Sequence, residues 1–87
     1  MTITWREAIS DEMELHEEKW GDVEKCTLTE EALDRRFDGG YGITRGVAFT
    51  LWTKRRVYFP AAYDGAEWVA SVPRWPCNEE TGHVGGG

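Results

Sequence analysis

Arg56-Val57-Tyr58-Phe59-Pro60-Ala61-Ala62-Tyr63-Asp64-Gly65-Ala66-Glu67-Trp68-Val69-Ala70-Ser71-Val72 carries the reading that decides the fold. Asp64-Gly65 tolerates positive φ at both central positions of a type I′ turn and so predicts a tight hairpin. Residues 56–59 make its first strand, which Pro60 limits by removing a ladder N–H, with 61–63 continuing the extended path. Residues 67–72 make the second strand, antiparallel to the first. Upstream, residues 47–53 alternate Val47, Phe49 and Leu51 against Ala48, Thr50 and Trp52, the period of a sheet strand. Lys54-Arg55 is the turn that joins it to the hairpin, and the three strands form an antiparallel meander.

The glycine-punctuated stretch 39–46 separates this half from a helical one. Thr4 with Glu7 three residues on has the capping-box spacing, and predicts a helix over 5–19 that Gly21 stops. Trp5, Ile9, Met13, His16 and Trp20 define its inner face, which turns most of Asp11, Glu14, Glu17 and Glu18 to water. Leu28, Thr29 and Leu33 have the hydrophobic-staple spacing for a second helix over 30–37, with Glu30 and Glu31 in its first turn and Arg35 and Arg36 in its last. The expected fold is therefore α+β, with two N-terminal helices packed on one face of a three-stranded antiparallel β-meander. At 87 residues there is room for one core, expected within 1–78, and 79–87 reads as a flexible C-terminal tail.

Charge is distributed unevenly along the chain. Residues 1–34 hold eleven acids against three bases, a net of −8, whereas the remainder carries seven bases and five acids, a net of +2. An amphipathic helix with segregated carboxylates presents a regular negative surface that could dock on a basic groove, including one that ordinarily accepts nucleic acid. Asp11, Glu14, Glu17, Glu18, Asp22 and Glu24 are the candidates for that contact. A face of this kind also serves solubility alone. A second candidate surface, of a different class, is an aromatic sheet face of Trp52, Tyr58 and Trp68 flanked by Trp75, for which core packing against the helices is the competing reading.

Chemistry is sparse by comparison. The only histidines are His16, on the inner helix face, and His83, in the tail, so no nucleophile–base–orienter set is expected and the chain reads as a non-enzyme. Glu12 and His16 have i, i+4 spacing but lack a third and fourth metal ligand, and neither a metal nor a cofactor is expected. The glycines around Tyr41 lack the residues of a phosphate loop. Lys54-Arg55-Arg56 reads as a solvated turn, because the overall charge of −6 repels phosphate, and no direct nucleic-acid contact is expected. Cys26 and Cys77 fall outside any metal or redox spacing and read as reduced thiols, with a single bridge between them left open. The start of the chain has no signal-peptide pattern and no apolar run is long enough for a bilayer, so the protein is expected in the cytoplasm, as a monomer or weak homodimer.

At Val57-Tyr58-Phe59-Pro60, Tyr63-Asp64-Gly65, Glu67-Trp68-Val69 and Ser71-Val72-Pro73-Arg74 the chain resembles small uncharacterised accessory proteins of tailed bacteriophages. The likeness extends to residues 29–38 and 49–52. It defines no functional residues. What it implies is a setting, the host bacterial cytoplasm, and a mode of action: short acidic phage proteins often inhibit host machinery, anti-CRISPR proteins among them. The partner would then be a protein with a basic surface, such as a CRISPR-Cas subunit, blocked stoichiometrically.

Overall fold

The computed structural model describes residues 2–38 and 46–85. In chain order these form β1 (Thr2–Ile3), α1 (Trp5–Leu15), a 3-10 turn (Trp20–Asp22), β2 (Val23–Cys26), α2 (Glu30–Asp34), β3 (Phe37–Asp38), β4 (Leu51–Thr53), β5 (Arg56–Tyr63) and β6 (Ala66–Pro73). The α+β class and antiparallel pairing are as the sequence predicts. The three-stranded meander is corrected: there are two sheets, a ribbon β1-β3 and a four-stranded sheet in the order β2-β4-β5-β6. A short strand also precedes the first helix.

The hairpin forms where expected, with Asp64 at φ +50 and Gly65 at φ +83. Its strands pair over the full length from Tyr63↔Ala66 to Arg56↔Pro73, so Pro60 does not end β5. Counting from the two-residue turn, Pro60 falls on a non-hydrogen-bonded pair with β6, and its missing N–H lies on the β4 side. There β4 has already ended, its last partner being Tyr58.

The capping box of α1 is present: Glu7 N–H donates to Thr4 Oγ1 and Thr4 N–H to Glu7 Oε1, each at 3.1 Å. The helix stops at Leu15, four residues before the predicted end. Glu17 takes φ +57, and the last carbonyls are closed by Glu18 N–H to Met13 O (2.9 Å) and Glu17 N–H to Glu14 O (3.2 Å), a Schellman ending built without glycine. A side chain in the left-handed region is strained by about 1–2 kcal/mol, partly offset by the greater chain entropy glycine loses on folding. Glu17→Gly is therefore expected to stabilise the fold by about 0.5–1 kcal/mol, read as a higher urea midpoint at unchanged slope.

The predicted second helix is shorter too, ending at Asp34, because Phe37–Asp38 leaves to pair with Thr2–Ile3. Arg6 of α1 holds α2 from the side, with Nε 2.6 Å from Asp34 Oδ1 and Nη2 on Glu30. That contact holds the Asp34 carboxyl below its ordinary value. The glycine-rich stretch 39–45 lies outside the described residues.

The core lies between α1 and one sheet face. Trp5, Ile9 and Met13 meet Leu33, Phe49, Leu51, Tyr58 and Val69. The pairs Leu51↔Tyr58 and Tyr58↔Ser71 turn these residues to the helix, and the alternate set, Trp52, Val57, Phe59, Trp68, Ala70 and Val72, to the opposite face. Tyr58 is thus a core residue, fully buried, as the core-packing reading of the aromatic set has it, and it is removed from the alternative interface. Beyond β6, Trp75 donates its indole N–H to Lys54 O at 2.9 Å, and the chain continues as an extended coil to Gly85. Cys26 and Cys77 are free thiols.

Candidate partner-binding surface

The six predicted contact acids have three different fates. Asp11, Glu14 and Glu17 are exposed, and among the described residues no hydrogen bond or ion pair engages their carboxylates. Asp11 and Glu14 follow Glu7 at i+4 and i+7, so helical periodicity places the three on the outer face of α1, with Glu17 at its C-terminal end. Asp22 is exposed but occupied, accepting from Lys19 N–H at 3.0 Å to cap the 3-10 turn. Glu24 is paired with Arg74 at 2.6 Å.

Glu18 is the correction. Its side chain is only 1% exposed, and its carboxylate accepts from Tyr58 OH at 2.6 Å, from Thr53 Oγ1 at 2.9 and 3.1 Å, and from Arg55 Nε at 3.3 Å. The reversal of direction at Glu17 turns this residue inward, where the periodicity of an uninterrupted helix would leave it in water. Burial and the bond to Glu18 push the Tyr58 phenol well above its ordinary value.

Basic residues are treated differently from these outer acids. All six described arginines have a carboxylate partner: Arg6 with Glu30 and Asp34, Arg35 with Glu31, Arg36 with Glu7, Arg55 with Glu18, Arg56 with Glu79 and Arg74 with Glu24. Exposed pairs of this kind add little stability, but they cancel charge locally. Among the described residues, Asp11, Glu14 and Glu17 are left as exposed acids without an ion pair on α1 and its end, as are Asp64 at the hairpin turn and Glu80 in the C-terminal segment, while Lys19, Lys25 and Lys54 are exposed cations without one.

The predicted aromatic set is also divided. Trp52 is half-buried on the sheet face turned from α1. Trp68, 38% exposed, is on the same face of β6 but also lines a cleft with Ala8, Asp11, Glu12 and Leu15 of α1, while Trp75, 62% exposed, lies with His16, Arg55, Arg56 and Cys77 around a separate cleft of about 400 Å³. Tyr58 joins neither.

A polar cluster that sequence reasoning missed sits where α1 meets β6. Ser71 Oγ donates to Glu12 Oε2 at 2.8 Å, and His16 Nε2 lies 3.0 Å from the same oxygen. Arg56 Nε donates to Ser71 Oγ at 3.0 Å. The i, i+4 spacing of Glu12 and His16 was the visible signal for half of this cluster; the contribution of β5 and β6 needed the register. The carboxylate stands between serine and imidazole, whereas a nucleophile relay places the imidazole between hydroxyl and carboxylate. Among the described residues no three of His, Cys, Asp and Glu gather as metal ligands, and no helix is long and apolar enough to cross a membrane.

No protein-family model, no curated protein and no solved structure matches the chain.

Proposed function

We propose that the protein is a non-enzymatic acidic binding protein whose outer α1 surface, Asp11, Glu14 and Glu17, docks on a basic surface of a partner protein. The observation that carries this reading is the grouping of three unpaired, exposed carboxylates on α1 and its end. Every described arginine is neutralised within the fold, and the carboxylates of Asp11, Glu14 and Glu17 are left in water on one helix and its end. A helix presenting acids in this way competes with a nucleic-acid backbone for the cations of a basic groove, and its contact would exclude that backbone. With the resemblance to phage accessory proteins, the partner we infer is a subunit of a host defence complex such as a CRISPR-Cas effector, and the action is stoichiometric blockade.

The test is the triple variant D11K/E14K/E17K, which replaces three exposed carboxylates and leaves the buried Glu18 untouched. Lost attraction and new like-charge repulsion are expected to weaken partner binding by about 100-fold or more, with an unchanged thermal midpoint. Undiminished binding would refute the acidic-face reading.

A second reading has its own observation. Trp52, Val57, Phe59, Trp68 and Val72 share a sheet face outside the core formed with α1, and Trp68 is the most exposed of them. Such a face is the interface of an assembly module if W52A/W68A, rather than the charge reversal, removes binding.

A further inference from the structure

Among the described arginines Arg56 alone has its charge buried, its side chain 8% exposed, and it is held on two sides by different parts of the chain. From β6, Ser71 takes Nε on its hydroxyl at 3.0 Å and Nη2 on its carbonyl at 3.3 Å. These two bonds fix the plane of the guanidinium without any carboxylate. The outer edge of the fork then meets Glu79, Nη1 to Oε1 at 2.9 Å and Nη2 to Oε2 at 3.0 Å, the parallel two-bond geometry by which arginine reads a carboxylate.

Glu79 comes from a different kind of structure. From Asn78 to Gly85 the chain is exposed coil, and among the described residues its only hydrogen bonds are those of Glu79 to Arg56. A guanidinium prepared by the sheet is therefore filled by an acid carried on a segment that is otherwise held by packing alone, such as that of Gly85 on Ala62. Space lies on both sides of the pair: the cleft with His16, Trp75 and Cys77, and a groove of about 280 Å³ along Trp68 to Ser71.

We propose that Arg56 with Ser71 is a carboxylate-recognition socket, occupied in this state by the chain's own Glu79 and open to an external carboxylate when the C-terminal segment is drawn aside. Leaving a buried guanidinium unpaired is costly, so an emptied socket favours any carboxylate that fits the fork. The ligand class is a carboxylate, supplied either by an acidic residue in an extended peptide or by a small dicarboxylic acid. His16 and Glu12 set the limits of the site. Glu12 faces Ser71 and adds a negative charge on the inner side, which favours a ligand approaching from the C-terminal segment's side. This site is independent of the acidic α1 surface.

The experiment uses the full chain as E79Q, with the Arg56 Nε–H signal followed by NMR during two titrations. One uses succinate, and the other a peptide copying residues 74–84 with Cys77→Ser. In the wild type the tethered Glu79 acts at an effective concentration in the millimolar range, so both probes are expected to act about tenfold more weakly there than on E79Q. Saturable shifts in E79Q, reduced by a further Ser71→Ala, support the socket. A stronger response to the peptide identifies an extended acidic segment as the ligand, and an equal response to succinate a free dicarboxylate. E79D, which keeps the acid on a shorter stem, should fall between wild type and E79Q. The proposal is overturned if E79Q is folded and the Arg56 signal answers neither probe, because Glu12 or another internal acid has then taken the fork. It is equally overturned if E79Q fails to fold, since a segment the fold requires is not an exchangeable occupant.

Discussion

Glu18→Ala is expected to destabilise the protein by about 3 kcal/mol, measured by urea denaturation at neutral pH. Truncation removes the acceptor of the fully buried Tyr58 OH and the nearer acceptor of the fully buried Thr53 Oγ1, which keeps only Arg56 O at 3.4 Å, and leaves Arg55 without a carboxylate, on His16 O alone. Thr53 Oγ1 also accepts the backbone N–H groups of Arg55 (3.2 Å) and Arg56 (2.9 Å), so the β4–β5 turn is tied into the same group. The cost arises from orphaned donors, which yields a control. In the background T53V/Y58F the same truncation is expected to cost much less, because the groups it would strand are already gone. A cost below about 1 kcal/mol in the wild-type background would show that the carboxylate is not what secures this corner. The Tyr58 phenol contributes a pH dependence of definite sign. Its folded pKa lies above the unfolded value of about 10, so the stability linked to it is present below that value and is lost as the pH rises past it, where only the unfolded chain ionises.

Trp5→Ala is expected to cost about 4 kcal/mol, a large part of the total for a domain of this size. Trp5 is 1% exposed and lies between Phe37, with ring centroids 4.8 Å apart, and Phe49, at 5.1 Å. Its indole N–H donates to Val47 O at 3.0 Å, which joins the first helical turn to the strand-side connection. Gly46 is part of the same wedge, since a Cβ there would fall 2.4 Å from the Trp5 ring. The cavity left by alanine has backbone on one side and two aromatic rings on the other, with little freedom to collapse. Circular dichroism at 25 °C should show a substantial unfolded fraction for W5A, whereas Trp5→Phe should retain the fold with a lower midpoint. A W5A protein as stable as the wild type would mean that α1 is not anchored through this residue.

Legibility of the fold followed the strength of the local signal. The start of α1, the Asp64-Gly65 turn and the long strands each rest on a side-chain or backbone preference that acts within a few residues, and they appear where the sequence places them. The ribbon β1-β3 has two residues in each strand, too few to show any period. Strand β2 has Val23 and Cys26 inward across a register shift, which breaks the alternation that would have announced it. The end of α1 was hidden because Glu17 occupies a position where glycine is the usual marker, and that single displacement also hid the burial of Glu18. Strand β5 is apolar on both faces, so its period could not say whether Val57 and Phe59 or Arg56 and Tyr58 look inward; the answer comes from α1 packing over Tyr58. In the candidate site, Asp11, Glu14 and Glu17 were readable because helix periodicity governs them. The pairing of Glu24 with Arg74, and the cluster around Arg56, depend on partners 50 and 23 residues away that only the tertiary structure brings near.

The ionic-strength dependence of partner binding tests the account most directly, measured on the wild-type protein with its captured partner. Docking through Asp11, Glu14 and Glu17 predicts that affinity falls by about tenfold or more between roughly 0.05 M and 0.3 M salt, and that D11K/E14K/E17K abolishes this slope together with the binding. An affinity that stays level across that range and survives the charge reversal would contradict it.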